Sequence, residues 1–168
     1  MGISPFVEVM RRGRNIEAAL DHVARAVKRG KGITEDILRF TQPAEPVRAA
    51  IDTSSWLDHI MLEARSVLPN QISLDWSVDP PDLLIHGDAN QLHQIFTNLI
   101  LNARDAMPRG GLLSISVRRA TNVVDRPERY AHFLVRDNGE GMSPETLRHI
   151  FEPLYTTKKS GTGLGLAV

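Results

Sequence analysis

One apolar helix that carries two asparagines constrains the fold of this chain more than any other stretch. Residues 94–106 read QIFTNLILNARDA. The apolar residues available to a core are Leu99, Ile100 and Ala103. Asn98 and Asn102 lie four residues apart, so both side chains leave the same side of the helix. Asparagine is a poor helix former because its amide competes for backbone partners. The pair is therefore either two solvated or locally bonded amides, or a polar site for a ligand.

Composition excludes several classes of function. The chain has 168 residues, and its 20 basic residues balance 20 acidic ones, which argues against nucleic acid or an anionic membrane as a partner. It has no cysteine, so disulfides and thiolate metal sites are excluded. No apolar run approaches the roughly 20 residues that span a bilayer, and no signal-peptide pattern begins the chain. We therefore expect a cytoplasmic segment with no membrane span.

The N-terminal part predicts a long amphipathic helix with a heptad seam. The seam positions are Ile16, Leu20, Val23, Val27, Gly30, Thr34, Ile37 and Thr41. A single helix cannot bury such a seam, so the pattern predicts a partner helix. The partner would be residues 3–12, a second copy of the chain, or both; packing on the chain's own domain is the alternative. Pro43 and Pro46 end the helix, and TQPAEP is the best domain boundary in the sequence.

Alternating helix and strand patterns follow this boundary. The predicted segments are a strand at 47–51, a helix at 56–68 capped from within 52–55, strands at 72–78 and 83–85, a helix at 89–107 capped by Asp88, a strand at 113–117, a polar connection at 121–129 and a strand at 130–136. The inner face of the first of these helices is assigned to Leu57, Ile60, Met61, Ala64 and Leu68. Two strands around a turn after a helix predict an antiparallel α+β sandwich with the helices on one face. Ser143 and Pro144 then begin a short helix.

Two glycine-containing segments point to a ligand. Asp137 leaves the last strand into Asn-Gly-Glu-Gly, where backbone can approach a ligand and the carboxylate can accept a hydrogen bond from an amine. A plain turn is the alternative. Residues 161–166 read GTGLGL, and alternating glycines of this kind expose N–H groups to anionic oxygens. The spacing fits neither a Walker loop nor a dinucleotide fingerprint.

Taken in order, these segments resemble the ATP-binding domain of sensor histidine kinases. The matching stretches are NLILNARDAMPRGG, VRDNGEGM, FEPLYTTK and GTGLGLAV, within residues 88–168. A wider resemblance extends to type II topoisomerases, the mismatch-repair ATPase and a heat-shock chaperone. The resemblance implies a two-layer α/β sandwich, the Bergerat ATP-binding fold, with ATP and Mg²⁺ as cofactors.

The resemblance also implies roles for individual residues. It assigns Mg²⁺ to Asn102, adenine to Asp137, and the lid over the phosphates to Lys158. The full set of cofactor-binding positions is Asn102, Asp105, Asp137, Gly139, Gly141, Lys158, Gly161, Thr162, Gly163, Leu164 and Gly165. Asp105 is a departure, because many relatives carry a basic residue there.

The catalytic positions implied by the resemblance are Asn98 and Lys158. Relatives that hydrolyse ATP have a glutamate where this chain has Asn98, and an amide cannot take up a proton at neutral pH. This difference favours phosphoryl transfer to a protein side chain over hydrolysis. An ATPase of the same superfamily, a non-catalytic nucleotide-binding and dimerisation module, and a protein serine kinase are the alternatives.

The N-terminal segment resembles part of the dimerisation hairpin of these kinases. We therefore expect residues 1–45 to form a helical dimerisation segment and residues 46–168 to form the ATP-binding catalytic domain. The expected partners are a second copy of the chain and a response regulator receiver domain. None of the six histidines shows the family's phosphoacceptor pattern, and His22 is followed by Val-Ala-Arg rather than an acidic residue. The family also continues beyond GLGLAV, so the resemblance implies a C-terminally incomplete domain of low stability.

Overall fold

The computed structural model of the chain describes residues 16–41, 45–120, 130–158 and 161–167. Two compact units divide it: one is Glu45–His149, and the other combines Met1–Ala44 with Ile150–Val168. The helix expected near residues 3–12 and the polar connection at 121–129 lie outside the described residues. The domain boundary near residue 45 stays a prediction.

The N-terminal amphipathic pattern forms one long helix, α1 (Ile16–Thr41). Three apolar seam residues, Ile16, Leu20 and Val27, are each about half exposed, at 46%, 53% and 57%. Ala19, beside the seam, is buried. Thr34 donates a hydrogen bond from its Oγ1 to the carbonyl oxygen of Gly30 at 2.9 Å, so this seam hydroxyl is satisfied within its own helix. The predicted helix is confirmed, and its partner stays a prediction.

Unit Glu45–His149 contains both strands and helices. Its elements are β1 (Ala49–Asp52), α2 (Thr53–Val67), β2 (Ile72–Asp79), β3 (Leu84–Gly87), α3 (Ala89–Ala106), β4 (Gly111–Ala120), β5 (Tyr130–Asp137) and α4 (Pro144–His149). Each predicted segment of this unit within the described residues is present, with its ends shifted by up to a few residues.

Side-chain caps fix where these helices begin. The Asp52 carboxylate accepts a hydrogen bond from the Ser54 backbone N–H at 3.0 Å, and Asp88 caps α3 in the same way. Ser143 Oγ accepts from the Thr146 N–H at 3.1 Å ahead of Pro144. An N-cap oxygen satisfies N–H groups that the first turn leaves without a partner, so short polar residues mark these starts in the sequence. The predicted caps are confirmed.

The principal sheet is mixed and has the strand order β2-β4-β5. Strands β4 and β5 are antiparallel, but β2 and β4 pair in parallel, with Ile72 opposite Gly111. The expectation of an antiparallel sandwich was therefore wrong for this pair. The chain passes through β3 and α3 between β2 and β4, and a helical crossover of this length returns the chain in its original direction. Strands β1 and β3 form a separate antiparallel pair.

The core lies between one face of the principal sheet and the two longer helices of the unit. Its buried members include Leu57 and Met61 from α2, Phe96 and Ile100 from α3, and Leu113 from β4. The predicted inner face of α2 is buried throughout. Phe96 packs edge-on against both Trp56 and Phe133, with ring centroids 5.0 and 5.5 Å apart. This two-layer arrangement confirms the predicted α/β fold class.

Candidate nucleotide-binding site

Helix α3 separates its apolar residues from its two asparagines. Phe96, Ile100 and Ala103 are buried in the core, whereas Asn98 and Asn102 are half-buried. Because four residues make slightly more than one turn, both amides lie on one side of α3. The helix therefore holds two amide side chains at the boundary between core and solvent, one turn apart.

An arginine accompanies the unexpected aspartate at position 105. Arg104 donates from Nε and Nη2 to Asp105 Oδ1, at 3.1 and 2.8 Å. The pair is partly exposed, so it contributes little to stability, but it places a cation beside the carboxylate. Sequence reasoning assigned Asp105 and missed Arg104. The two residues are adjacent in the sequence, which could have suggested an ion pair. The sequence does not show, however, that the arginine side chain turns toward Asp105.

The carboxylate that ends β5 is held by its own loop. Asp137 Oδ1 accepts a hydrogen bond from the Gly139 backbone N–H at 3.0 Å, and the side chain is exposed. Among the described residues, the other carboxylate oxygen of Asp137 has no hydrogen-bond partner. One oxygen therefore orients the carboxylate, and the second can accept a hydrogen bond from a ligand amine.

Loop 137–141 packs against the C-terminal end of α3. The Glu140 N–H donates to the Ala106 carbonyl oxygen at 3.0 Å. A Cβ on Gly139 would lie 2.5 Å from that same oxygen, so any larger residue would force the backbone apart. This contact joins the loop of Asp137 to the helix of Asn98 and Asn102. The assignment of Gly139 to the site is thereby given a physical reason.

Asn138 is a second residue that sequence reasoning missed. Its Oδ1 accepts a hydrogen bond from the Leu112 N–H at 2.7 Å, which ties the loop to the start of β4. A Cβ on Gly111 would collide with this oxygen and with the Met107 side chain, so glycine at position 111 leaves the space that the Asn138 side chain fills. The sequence places Asn138 in an Asp-Asn-Gly turn, which was the only indication of a structural role. Its hydrogen-bond partner on β4 is apparent only from the three-dimensional structure.

The remaining predicted residues, from Lys158 to Gly165, belong to the other compact unit. Its C-terminal segment forms a loop that closes between Leu154 and Gly163, because the Leu154 N–H donates to the Gly163 carbonyl oxygen at 2.8 Å. Both residues have left-handed backbone, with φ of 68° and 69°. Lys158 is exposed within the loop, and its backbone N–H donates to Thr156 Oγ1 at 3.1 Å.

The glycine-rich residues 161–165 differ in their exposure to solvent. Leu164 is buried, whereas Thr162, Gly163 and Gly165 are half-buried and Gly161 is exposed. The Leu164 N–H lies 3.4 Å from Thr162 Oγ1, a long hydrogen bond that turns the chain within the glycine run. Leu164 therefore acts as an apolar anchor among the glycines.

The described residues contain no group of three His, Cys, Asp or Glu side chains placed to hold a metal ion. A site for Mg²⁺ does not require such a group, since this ion keeps several waters and is commonly held by one or two protein oxygens together with substrate phosphates. The side-chain oxygen of Asn102 fits that limited role. Within the described ranges, no helix is both long and apolar enough to cross a membrane.

Comparison with known proteins places this geometry in a family. Residues 87–168 match the model of the histidine kinase-, DNA gyrase B- and HSP90-like ATPases. Sporulation kinase A of Bacillus subtilis is 34% identical over 155 residues, which are 90% of this chain and 24% of that protein. The sensory histidine kinase/phosphatase NtrB of Rhizobium leguminosarum is 34% identical over 143 residues, which are 79% of this chain and 37% of that protein.

Related proteins of known structure share the fold of this chain. The histidine kinase AdeS of Acinetobacter baumannii covers 98% of this chain and 78% of its own, with a TM-score of 0.71 at 21% identity. Full-length ShkA in complex with AMPPNP covers 81% of this chain and 28% of its own, with a TM-score of 0.63 at 27% identity. This chain spans less than two fifths of the length of the curated relatives named above. Its residues 87–168 belong to the histidine kinase-, DNA gyrase B- and HSP90-like ATPase family, and the chain is related to sensor histidine kinases over most of its length.

Proposed function

We propose that this chain is the ATP-binding catalytic part of a sensor histidine kinase, which transfers the γ-phosphoryl group of ATP to a histidine in a two-component phosphorelay. One observation carries the proposal: within the stretch that matches the ATPase family, the loop of Asp137 is bonded to the end of the helix that bears Asn98 and Asn102. A fixed carboxylate and a pair of amides are the groups that adenine recognition and Mg²⁺–phosphate binding need.

The nucleotide binds through both the Asp137 carboxylate and the asparagine amides of α3. The second oxygen of Asp137 accepts a hydrogen bond from the adenine amino group, with Gly139 and Gly141 forming the floor of the pocket. Asn102 holds Mg²⁺ against the phosphates. Full-length ShkA, a relative of known structure, was solved with the ATP analogue AMPPNP, which supports a nucleotide as the ligand.

Transfer depends on positioning and charge neutralisation. Phosphoryl transfer leaves little covalent chemistry for the protein, so cations and backbone N–H groups around the phosphates supply most of the catalysis. We assign these tasks to Lys158 and to the segment Gly161–Gly165. Asn98 orients the reacting groups without acting as a base. The acceptor imidazole would attack the γ-phosphorus with the lone pair of its unprotonated ring nitrogen. The bond from the γ-phosphorus to the bridging oxygen would then break, and ADP would leave with the electron pair of that bond.

The whole kinase acts with partners. The half-exposed seam of α1 supports a homodimer, because a partner helix would remove Ile16, Leu20 and Val27 from water. The histidine kinase ThkA was crystallised with the response regulator TrrA, and we propose a response regulator receiver domain as the downstream partner here.

The test is a titration with an ATP analogue and Mg²⁺, repeated with Asp137→Asn. In this variant the amide oxygen keeps the bond from Gly139, and the NH₂ group then faces the adenine amino group, with which it cannot pair. Loss of a charged acceptor costs roughly 1.5–3 kcal/mol, so we expect binding at least tenfold weaker. Asp75→Asn, on the exposed side of β2, is the matched control and should bind as the wild type does. Equal affinity for the wild type and Asp137→Asn would overturn the pocket assignment.

A second assay separates the rival functions. Mixing the chain with a separately made acceptor hairpin and labelled ATP should yield a phosphorylated hairpin. Steady phosphate release without transfer would favour an ATPase of the same superfamily. Nucleotide binding with neither transfer nor release would leave a nucleotide-binding and dimerisation module.

A further inference from the structure

The Asp88 carboxylate binds two separate parts of the chain. Its Oδ1 accepts hydrogen bonds from the backbone N–H groups of Asn90 and Gln91, at 2.8 and 3.1 Å, in the first turn of α3. Its Oδ2 accepts a third bond, from the Val47 backbone N–H at 2.7 Å. A capping side chain ordinarily needs only the first kind of bond. The second oxygen of Asp88 therefore does something beyond beginning the helix.

Val47 lies where the connection from α1 enters unit Glu45–His149. Helix α1 ends at Thr41, and Val47 follows Pro46, which has no N–H group. The Val47 side chain packs little against the core, because 76% of its surface is accessible to solvent. The bond to Asp88 Oδ2 is thus a backbone anchor at the entry point of the connection.

The other end of this anchor is the helix that carries the proposed nucleotide groups. Asn98 and Asn102 lie 10 and 14 residues beyond Asp88, or about 15 and 21 Å along an α-helix at 1.5 Å per residue. A helix packed into a core moves as a rigid element, so a shift at its first turn is carried along its length. The hydrogen bonds from the first turn of α3 and from Val47 all favour the ionised carboxylate of Asp88.

We propose that Asp88 is a positioning residue that couples the anchorage of the α1 connection to Mg–nucleotide binding on α3. The coupling rests on the proposed function of Asn98 and Asn102. Tightening of α3 around a nucleotide strengthens the Asp88–Val47 bond, and release of the connection weakens nucleotide binding by the same factor, since coupling between two sites is reciprocal.

The pKa of Asp88 supports this arrangement. Hydrogen bonds from the Gln91, Val47 and Asn90 backbone N–H groups hold it below its ordinary value, and burial opposes them only in part. The carboxylate is therefore ionised at neutral pH, and both of its oxygens are acceptors.

The test compares Asp88→Asn with Asp52→Asn by amide hydrogen exchange. Asparagine caps a helix as well as aspartate does, but an amide has a single acceptor oxygen, so it cannot serve α3 and Val47 together. Asp52 caps α2 and bonds only Ser54 and Ser55 of that helix, which makes it the matched control for the lost charge. Asp88→Ser, which keeps a capping oxygen but is too short to bond both partners, should behave as Asp88→Asn does.

We expect exchange at Val47 to quicken at least tenfold in Asp88→Asn and to stay unchanged in Asp52→Asn. Mg–AMPPNP should slow exchange at Val47 about fivefold in the wild type and not in Asp88→Asn, and nucleotide affinity should fall by the same fivefold in that variant. Unchanged Val47 exchange in Asp88→Asn, or bound nucleotide without effect on Val47 in the wild type, would overturn the coupling. Failure of the wild type to bind nucleotide would instead overturn the proposed function and leave nothing for Asp88 to couple.

Discussion

At the scale of single residues, Gly139 makes the sharpest demand on the chain. Its α-carbon lies so close to the Ala106 carbonyl that a Cβ would come within 2.5 Å of the oxygen. This approach lets the Glu140 N–H reach the same carbonyl. The distance between the Asp137 loop and α3 is therefore set by the absence of a side chain.

Substitution of Gly139 by alanine should open this contact. We expect a loss of about 1–3 kcal/mol in the free energy of unfolding, because overpacking forces backbone shifts. Affinity for Mg–AMPPNP should fall at least tenfold as Asp137 moves away from α3. Urea unfolding and nucleotide titration measure the two effects.

Gly87→Ala is the control for Gly139→Ala. A Cβ there would meet Ile51 and Leu92 at 3.8 Å, which is ordinary van der Waals contact. We expect this variant to bind nucleotide as the wild type does. Comparable losses in both variants would show that the close approach of Gly139 has no special role.

Residues with local roles were the ones that sequence could assign. Asp52, Asp88 and Ser143 cap helices through N–H groups two or three positions away, so pattern alone predicts them. The second bond of Asp88, to Val47, spans 41 residues and has no local signature. Asn138 escaped prediction for the same reason, because its partner Leu112 lies 26 residues earlier.

At the scale of elements, strand direction was the main error. Alternation in β2 and β4 identified both strands correctly, but periodicity contains no information about which strand pairs with which. The parallel pairing of β2 with β4 follows from the crossover through α3, whose apolar face must cover the sheet. Direction is thus a property of the connection rather than of the strand.

Helix α3 contributes one aromatic side chain, Phe96, to the core. Phe96 is 2% exposed and lies between Trp56 and Phe133. We expect Phe96→Ala to lower the free energy of unfolding by about 3–5 kcal/mol, because the cavity adds to the lost transfer energy. Urea denaturation followed by tryptophan fluorescence measures the loss.

Ile95, the neighbour of Phe96 on α3, provides the comparison. Its side chain is 45% exposed, so Ile95→Ala should cost less than about 1 kcal/mol. A similar loss in the free energy of unfolding for both substitutions would mean that the ring contacts of Phe96 with Trp56 and Phe133 do not stabilise the helix.

At the scale of the whole molecule, the family was predictable because four segments occur in a fixed order. Each segment alone had an ordinary explanation, such as a turn at 137–141 or a flexible loop at 161–166. The match to residues 87–168 confirms the combination. The roles of individual residues at the nucleotide stay predictions, because they depend on a ligand.

Self-association through α1 is the prediction that belongs to this scale. Leu20, in the apolar first half of the seam, is 53% exposed, and a glutamate there would place a charge in a helix interface. We expect the wild type to sediment as a dimer and Leu20→Glu to shift it toward monomer at the same concentration.

Ala18→Glu controls for the added charge. Ala18 is exposed on α1 and lies outside the seam, so this variant should stay dimeric. A monomeric wild type, or equal dissociation of both variants, would contradict dimerisation through the seam.

The hydrogen bond between Val47 and Asp88 also determines where unit Glu45–His149 can be joined to another protein. Val47 contributes the first backbone group of the unit that is held by a distant side chain. A fusion junction at or before Glu45 leaves that group in its natural context, whereas a junction after Val47 removes it. Fusions that join this unit to another protein should therefore keep Pro46 and Val47 with the unit, so that the hydrogen bond to Asp88 is retained.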